Sequence, residues 1–471
     1  MKPVALSRIA DWTGGRVEAA SGVAGDVLID AVSTDTRTLD ARDGRAALFV
    51  ALAGERFDGH EHVGDAARLG ARAALVSRVV DAPLPQVVVG DPERALGALA
   101  AALQRGRRTR VLAVTGSNGK TSVKQLLLSI LGKAGRAHAN PGNLNNEIGL
   151  PLAVIDAPED ADFAVYEMGA GKPGDIAYLT SIARPDVSLV NNVAPAHLER
   201  LGSLQGVAET KGAIHDALPA DGVAVVNADD GFAAQFEARV LAGHPGRRII
   251  RFGIDANADV TARRISFGEE GSEFELSTPS GVAAVELPLA GRHNVSNALA
   301  AASMAIACGV GLDAIVDGLR DMRPVAGRLV RHHLANGAWL IDDSYNANPA
   351  SLSAAIDTLA AMAGENWLVL GDMRELGADA EALHAEAGRH AKSAGISRLY
   401  ALGPLSARAA EAFGDGGRHF ATHEALAEAV RQDIHAMVRV VVKGSRGSAM
   451  ERVVAALLAH GSGKGGNAHV A

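Results

Sequence analysis

The run Arg110-Val-Leu-Ala-Val-Thr-Gly-Ser-Asn-Gly-Lys-Thr-Ser122 constrains this chain more than any other stretch. Val111 to Val114 form an apolar run that predicts a short buried strand. The spacing of Val123, Leu126, Leu127 and Ile130 predicts a helix after it. Between them lie small residues, then Lys120 and Thr121. A strand, a glycine turn and a helix N-terminus together make a phosphate cradle, because glycine lets backbone N–H groups reach an anion that the helix dipole also favours. In such a loop the lysine reaches the β- and γ-phosphates and the threonine hydroxyl ligates Mg²⁺. The usual glycine five residues before Gly119 is replaced by Val114, and glycine comes instead at Gly116, giving Thr-Gly-x-x-Gly-Lys-Thr. The order of strand, turn and helix predicts a nucleoside triphosphate site.

At 471 residues the chain exceeds one ordinary core and predicts two to four domains. A 48% hydrophobic and 21% charged composition describes a soluble globular protein. The net charge of −8 argues against a nucleic-acid partner. No apolar run approaches membrane-spanning length, and charges interrupt the first twelve residues where a signal peptide needs an apolar centre. Cys308 is the single cysteine, so no internal disulfide forms; in its alanine-rich run it reads as a buried helix residue. A cytoplasmic monomer is expected.

The rhythm of strands and helices predicts an α/β fold of three domains. Residues 1–85 form a small α/β unit, 86–325 a central domain with a mostly parallel sheet around the phosphate loop, and 326–471 a C-terminal Rossmann-like domain. In the first, Arg37 and the hydroxyls of Ser33 to Thr36 fit a phosphate contact and a solvated loop equally. His60-Glu-His62 lacks further ligands at metal spacing and reads as a polar helix start. In the second, Phe163-Ala-Val-Tyr-Glu167 is an apolar strand ending in a carboxylate, where an α/β nucleotide site places a metal ligand. Ser188 to Asn192, Gly222 to Asn227 and Arg248 to Phe252 read as further strands. Asn143, Asn145 and Asn146 make an amide-rich loop suited to a polar ligand. His293-Asn-Val-Ser-Asn297 caps the alanine-rich helix, and Pro324 marks a hinge. In the third, Trp339 to Asp343, Trp367 to Gly371 and Val438 to Lys443 read as strands. The tail from Gly461 lacks apolar content and reads as disordered.

Together these pieces resemble the Mur ligase family across nearly the whole chain. The resemblance rests on Thr115-Gly-Ser-Asn-Gly-Lys-Thr121, Asn143-Leu-Asn-Asn146, Glu167, Asn192 with His197, Lys211, His293-Asn294 with Asn297, Gly327-Arg328 and Asp342-Asp343. It implies an ATP-dependent amide ligase in which the substrate carboxylate attacks the γ-phosphate and an amine then attacks the acyl phosphate. It implies that Thr115, Gly116, Ser117, Asn118, Gly119, Lys120 and Thr121 hold the phosphates, with Thr121 and Glu167 on one Mg²⁺. His197 and a carbamylated Lys211 would hold a second Mg²⁺. Asn294 and Asn297 fall on the adenine side, Arg328 on the γ-phosphate and Asp343 on the ribose. Lys120, His197, Lys211 and Arg328 are the implied catalytic set. One departure is Ala213, after Lys211-Gly212, where members often carry an acid.

Three local runs narrow the resemblance: Phe57-Asp-Gly-His60, Asp342-Asp-Ser-Tyr-Asn-Ala-Asn-Pro349 and Leu370-Gly-Asp-Met-Arg-Glu-Leu-Gly377. They are similar to the branch that adds D-alanyl-D-alanine to UDP-N-acetylmuramoyl-tripeptide in peptidoglycan synthesis. That branch implies muramoyl-substrate contacts at Asn143, Asn145 and Asn146, uridine diphosphate contacts at Ser33 and Arg37, and dipeptide contacts at Tyr345, Asn346 and Asn348. A folylpolyglutamate synthase, or the ligase for the third stem residue, is the nearest rival, but the latter's Asp-Asn-Pro-Arg-type run is missing. A GTP switch is the rival from another class, and it lacks the guanine-reading Asn-Lys-x-Asp run.

Overall fold

The computed structural model describes residues 1–19, 26–39, 44–195, 198–268 and 271–461. Three sheets organise them, all α/β as expected. The first holds five strands among the described residues, Arg16–Glu18, Ala31–Ser33, Ala47–Val50, Ala73–Val76 and Gln86–Val88, parallel except for the first. Gln86–Val88 pairs with Ala73–Val76 and Arg16–Glu18, so this sheet runs past the expected boundary at 85. Its three residues are buried between neighbours, which fixes them in the first sheet. The helix Pro92–Arg105, capped by the Asp91 carboxylate accepting from Glu93 and Arg94 N–H, then packs its Leu96 and Leu99 into a core shared with Leu6, Ile9 and Leu150. The first two domains thus share one apolar core.

The central sheet has nine strands in the order Ala137–Ala139, Phe163–Glu167, Arg110–Thr115, Val187–Val190, Val223–Asn227, Arg248–Gly253, Val260–Phe267, Ser272–Thr278 and Gly281–Leu287, among the described residues. It is parallel up to Val260–Phe267, and the last two strands run antiparallel. That antiparallel extension was not anticipated, although Phe274 and Leu276 alternate with polar neighbours as a half-buried strand should. The strand order reverses around Arg110–Thr115, so the crevice at its carboxyl end is where a ligand is expected. The helix Lys120–Leu131 starts there and buries Val123, Leu126, Leu127 and Ile130 against Leu112, Val114 and the helix Arg292–Ala307. Each such buried side chain contributes about 1.5–3 kcal/mol. Cys308 is the C-cap of the latter helix and only half-buried, with its thiol pushed up to about 11 by burial.

The third sheet has six strands in the order Val330–His333, Trp339–Asp343, Val438–Lys443, Glu365–Gly371, Arg398–Leu402 and Gly417–Phe420, antiparallel only in the first pair. The tail beyond 461 lies outside the described residues. No described helix is long and apolar enough to cross a membrane.

His215 anchors the segment that follows the Lys211 helix. Its Nδ1 lies 2.9 Å from Ser188 Oγ, and both side chains are fully buried. Burial, and secondarily the nearby Arg239 and Arg247 charges, push its pKa down to about 3, against Asp216, which raises it. The unfolded chain therefore takes up a proton that the native state refuses. His215 should cost nothing above the ordinary histidine value, and stability should fall by up to roughly 1.4 kcal/mol per pH unit as pH drops from about 6.5 toward 3. Urea unfolding at pH 7.5 and pH 5 should show a smaller acid loss for His215→Gln than for the natural chain; equal losses would remove His215 as the cause.

Candidate active site

The phosphate loop forms as its residues predict. Gly119 takes φ +79°, a left-handed conformation suited to glycine, at the N-cap of Lys120–Leu131. A Cβ there would lie 2.5 Å from Asn191 Nδ2 and would also strike Asn297 Oδ1. Only glycine fits this cradle. Asn118 at the apex is fixed by Asn192, whose Oδ1 accepts from Asn118 N at 2.8 Å, and by Asn191 Nδ2, which donates to Asn118 O at 3.0 Å. Ser117 Oγ donates to Ala194 O at 2.9 Å, and Thr115 Oγ1 to Met168 O at 2.9 Å. The strand expected to reach Asn192 stops at Val190, which frees Asn191 and Asn192 to serve the loop. Lys120 Nζ donates to Gly116 O at 2.7 Å. Burial, together with the Arg328 charge, lowers the Lys120 pKa, and Glu167 works against that shift.

Glu167 ends its strand as expected and is buried. Thr121 Oγ1 donates to its Oε2 at 2.8 Å and Asn145 Nδ2 to its Oε1 at 2.9 Å; Lys124 Nζ lies 3.3 Å from Oε2. Burial pushes the carboxyl up, but Lys124, Lys120 and the two hydrogen bonds outweigh it and hold the pKa below the ordinary value. Glu167 is therefore a carboxylate at neutral pH. A hydroxyl and a carboxylate meeting in this way are the hard oxygen donors Mg²⁺ takes beside phosphate oxygens. No three His, Cys, Asp or Glu side chains cluster into a metal cage among the described residues.

Residues from the C-terminal domain close over this point. Arg328 Nη2 donates to Thr121 Oγ1 at 2.9 Å, and its guanidinium lies 4.3 Å from the centre of the Tyr345 ring. Tyr345 N donates to Gly327 O at 3.0 Å, which ties the turn after Trp339–Asp343 to the Arg328 segment. Asn348 caps the helix Pro349–Ala360 through its Oδ1, and its Nδ2 donates to Asn118 Oδ1 at 2.7 Å across the domains. Lys443 Nζ pairs with Asp343 Oδ2 at 2.5 Å and donates to Asn346 O at 3.1 Å.

These groups line one cleft of about 780 Å³. Ser117, Asn118, Gly119, Lys120, Thr121, Asn143, Asn145, Asn146, Glu167, Lys211, Asn294, Asn297, Arg328, Asp343, Tyr345, Asn346 and Asn348 all border it. Thr115 and Gly116 lie behind the loop. Lys211 is 2% exposed, and burial with the Lys120 charge pushes its pKa well down. Asn294 Nδ2 donates to Ala290 O at 2.8 Å and Asn297 Nδ2 to Asn294 Oδ1 at 3.2 Å, and both border the cleft. The expected cap at 293–297 does not form, because the helix Arg292–Ala307 already begins before His293 and its N-cap is Gly291, without a side-chain bond. His197 lies outside the described residues. Ser33 and Arg37 do not border the cleft; Ser33 ends the strand Ala31–Ser33 of the first domain and Arg37 lies in the turn after it, where Asp35 engages Arg37 in an exposed ion pair at 2.6 Å. His60 is a buried structural residue, its Nε2 accepting from Ser77 N at 2.9 Å.

Sequence reasoning named His293 without giving it a role in the site, and missed Lys124, Lys443 and Arg446. His293 borders the cleft with its pKa pushed down to about 4 by burial and, secondarily, by Lys443. Lys124 carried a signal, being a cation within the helix's apolar stripe. Lys443 ends a strand at the carboxyl edge, the same cue that identified Glu167. Asp372 of the Leu370 to Gly377 run holds the start of a helix: its Oδ1 accepts from Leu405 and Ser406 N–H.

A nucleotide loop, a buried carboxylate beside it and an arginine from a second domain define a phosphoryl-transferring enzyme. Residues 114–305 match the family model "Mur ligase middle domain" and residues 327–446 match "Mur ligase, glutamate ligase domain". The chain is 44% identical over 465 residues to UDP-N-acetylmuramoyl-tripeptide–D-alanyl-D-alanine ligase of Escherichia coli K12, covering 98% of this chain and 100% of that protein. Among solved structures it is similar to MurF from Acinetobacter baumannii, with TM-score 0.90, 32% identity and coverage of 98% and 99%. It is also similar to a MurF ligase from Thermotoga maritima in complex with ADP, with TM-score 0.81, 27% identity and coverage of 91% and 97%. The chain belongs to the Mur ligase family.

Proposed function

We infer that within this family the chain is the member that joins D-alanyl-D-alanine to UDP-N-acetylmuramoyl-tripeptide, consuming ATP, in peptidoglycan precursor synthesis. The single observation that carries the chemistry is the convergence of Arg328, Thr121 and Glu167, from two domains, on the start of one helix. The full-length relatedness supports the choice of substrates.

ATP lies with its phosphates on the N–H groups of the 116–121 loop, and Lys120 meets the β- and γ-phosphates. Asn294 and Asn297 take the adenine side and Asp343 the ribose. Thr121 and Glu167 would hold Mg²⁺, and Lys211 with His197 a second ion; bound there, the metal neutralises phosphate charge that would otherwise repel the incoming carboxylate. Asn143, Asn145 and Asn146 present the tripeptide's terminal carboxylate. Its oxygen attacks the γ-phosphorus while the bond to ADP breaks, and Arg328 meets the charge on the transferring group. The dipeptide amine, brought in by Tyr345 and Asn346, attacks the acyl carbonyl; phosphate leaves and the amine loses a proton. Closure of the last domain keeps the acyl phosphate from water. Ser33 and Arg37 take the uridine diphosphate end. The enzyme is taken to act as a monomer in the cytoplasm.

A dipeptide carries its carboxylate one residue further from its amine than D-alanine does. A site built for it leaves a buried polar group unpaired when D-alanine binds alone, a loss of about 1–3 kcal/mol. With UDP-N-acetylmuramoyl-tripeptide, ATP and Mg²⁺, phosphate release should require D-alanyl-D-alanine and a product of the matching mass should form. Its kcat/KM should exceed that of D-alanine by at least about tenfold. Equal values for the two amines, or release driven by glutamate on a folate acceptor, would reassign the enzyme within the family.

A further inference from the structure

One cation beside the phosphate loop has no part in the chemistry above. Lys124 lies one helical turn after Lys120 and is 1% exposed. Its ammonium donates to Asn140 O at 2.9 Å and to Gly142 O at 3.2 Å, and it pairs with Glu167 Oε2 at 3.3 Å. An ammonium has three hydrogens. Two are donated to loop carbonyls and the charge is set against Glu167, and Lys124 does not border the cleft.

What those contacts join is the point of interest. The segment 140–146 leads into the amides Asn143, Asn145 and Asn146 that border the cleft. Asn140 reinforces the same junction: its Nδ2 donates to Leu144 O at 2.8 Å and Glu167 O at 3.0 Å, and its Oδ1 accepts from Glu167 N at 2.9 Å. Asn145 adds its bond to Glu167 Oε1, and its carbonyl accepts from Gly169 N at 2.8 Å. A buried carboxylate without a cation is unfavourable, and a loop of free carbonyls beside it would be more so. One lysine answers both needs.

We propose that Lys124 is a positioning residue for ligation, which locks the Glu167 carboxylate and the 140–146 loop into a single unit so that the nucleotide side and the acceptor side of the cleft are ordered together. It rests on the function inferred above only for the identity of the acceptor. A purely structural buried ion pair would loosen the whole domain when broken; a positioning residue loosens one loop and one substrate.

The test uses the full-length chain and Lys124→Met. Hydrogen exchange in the free protein should rise at least tenfold across 140–146 and stay unchanged in the Pro92–Arg105 helix. Calorimetric affinity for UDP-N-acetylmuramoyl-tripeptide should fall at least tenfold, while the KM for D-alanyl-D-alanine moves less than twofold. Either change without the other overturns the proposal, as does an equal loss for the dipeptide. If Lys124→Met does not fold because Glu167 is left without its cation, Lys124→Met with Glu167→Gln is compared with Glu167→Gln alone. Faster exchange at 140–146 in the double variant then supports the lock, and equal exchange overturns it. Should the natural chain neither bind the muramoyl nucleotide nor release phosphate, the function inferred above has failed, while the exchange comparison still decides whether Lys124 holds the loop.

Discussion

Lys120→Ala should give a folded protein whose turnover is lower by about a hundredfold to a thousandfold, the usual cost of removing one donor aimed at developing charge. The ammonium spends its hydrogen bonds on carbonyls of its own loop, Gly116 O at 2.7 Å and Ser117 O at 3.4 Å. It is also a cation held against the desolvation that lowers its pKa. Truncation therefore removes two hydrogen bonds from a charged group, of about 1.5–3 kcal/mol at most for each, and relieves the burial cost of the cation that opposes them, so the net change in stability is small. The charge that the transferring phosphoryl group needs is lost outright. Phosphate release under saturating substrates measures the first effect, and a melting curve within a few degrees of the natural chain measures the second. Near-native turnover by a folded Lys120→Ala protein would remove the loop from the mechanism.

Lys211→Ala should be as damaging, and its repair should reveal the chemical state of the side chain. Lys211 is buried and borders the cleft. Burial and the nearby Lys120 charge push its pKa well down. The sign matters: a lowered lysine pKa favours the neutral amine, the form that reacts with CO₂. The resulting carbamate would turn a repelling cation into two hard oxygens, which is what a second Mg²⁺ requires. Activity should fall on the order of a hundredfold or more, as for loss of other electrostatic stabilisers. Formate or acetate, occupying the vacated space, should restore part of it, and methylamine should not. Rescue by methylamine and not by the acids, or full activity of the natural chain in rigorously CO₂-free buffer, would show that Lys211 works as a cation.

Residues whose roles follow from local pattern were legible in the chain itself. The phosphate loop, the helix behind it and the strand ending at Glu167 are written in spacings of a few residues, because strand and helix periodicity and glycine backbone freedom are local properties. Even there, local reading had limits. The strand before Asn191 was carried two residues too far, since apolar content alone does not show where ladder pairing yields to side chains that bond a neighbouring loop. The boundary at 85 fell short because nothing within Gln86–Val88 tells which sheet will accept it. The run Leu370 to Gly377 stood out as a motif, yet Asp372 spends its carboxylate on the start of a helix more than thirty residues away.

The sequence by itself determined the three-domain α/β plan, the nucleotide loop with Lys120 and Thr121, and the carboxylate awaiting it at the end of a strand. Only the tertiary structure decided which distant groups meet there. Arg328 reaches Thr121 across 207 positions, Asn348 reaches Asn118 across 230, and Lys443 pairs with Asp343 across 100. Lys124 contacts the 140–146 loop and Glu167 only after the sheet has set Phe163–Glu167 beside Arg110–Thr115. The physical reason is one of range: periodicity and turn chemistry act over a few residues, whereas the partner of a buried charge is fixed by the packing of whole elements.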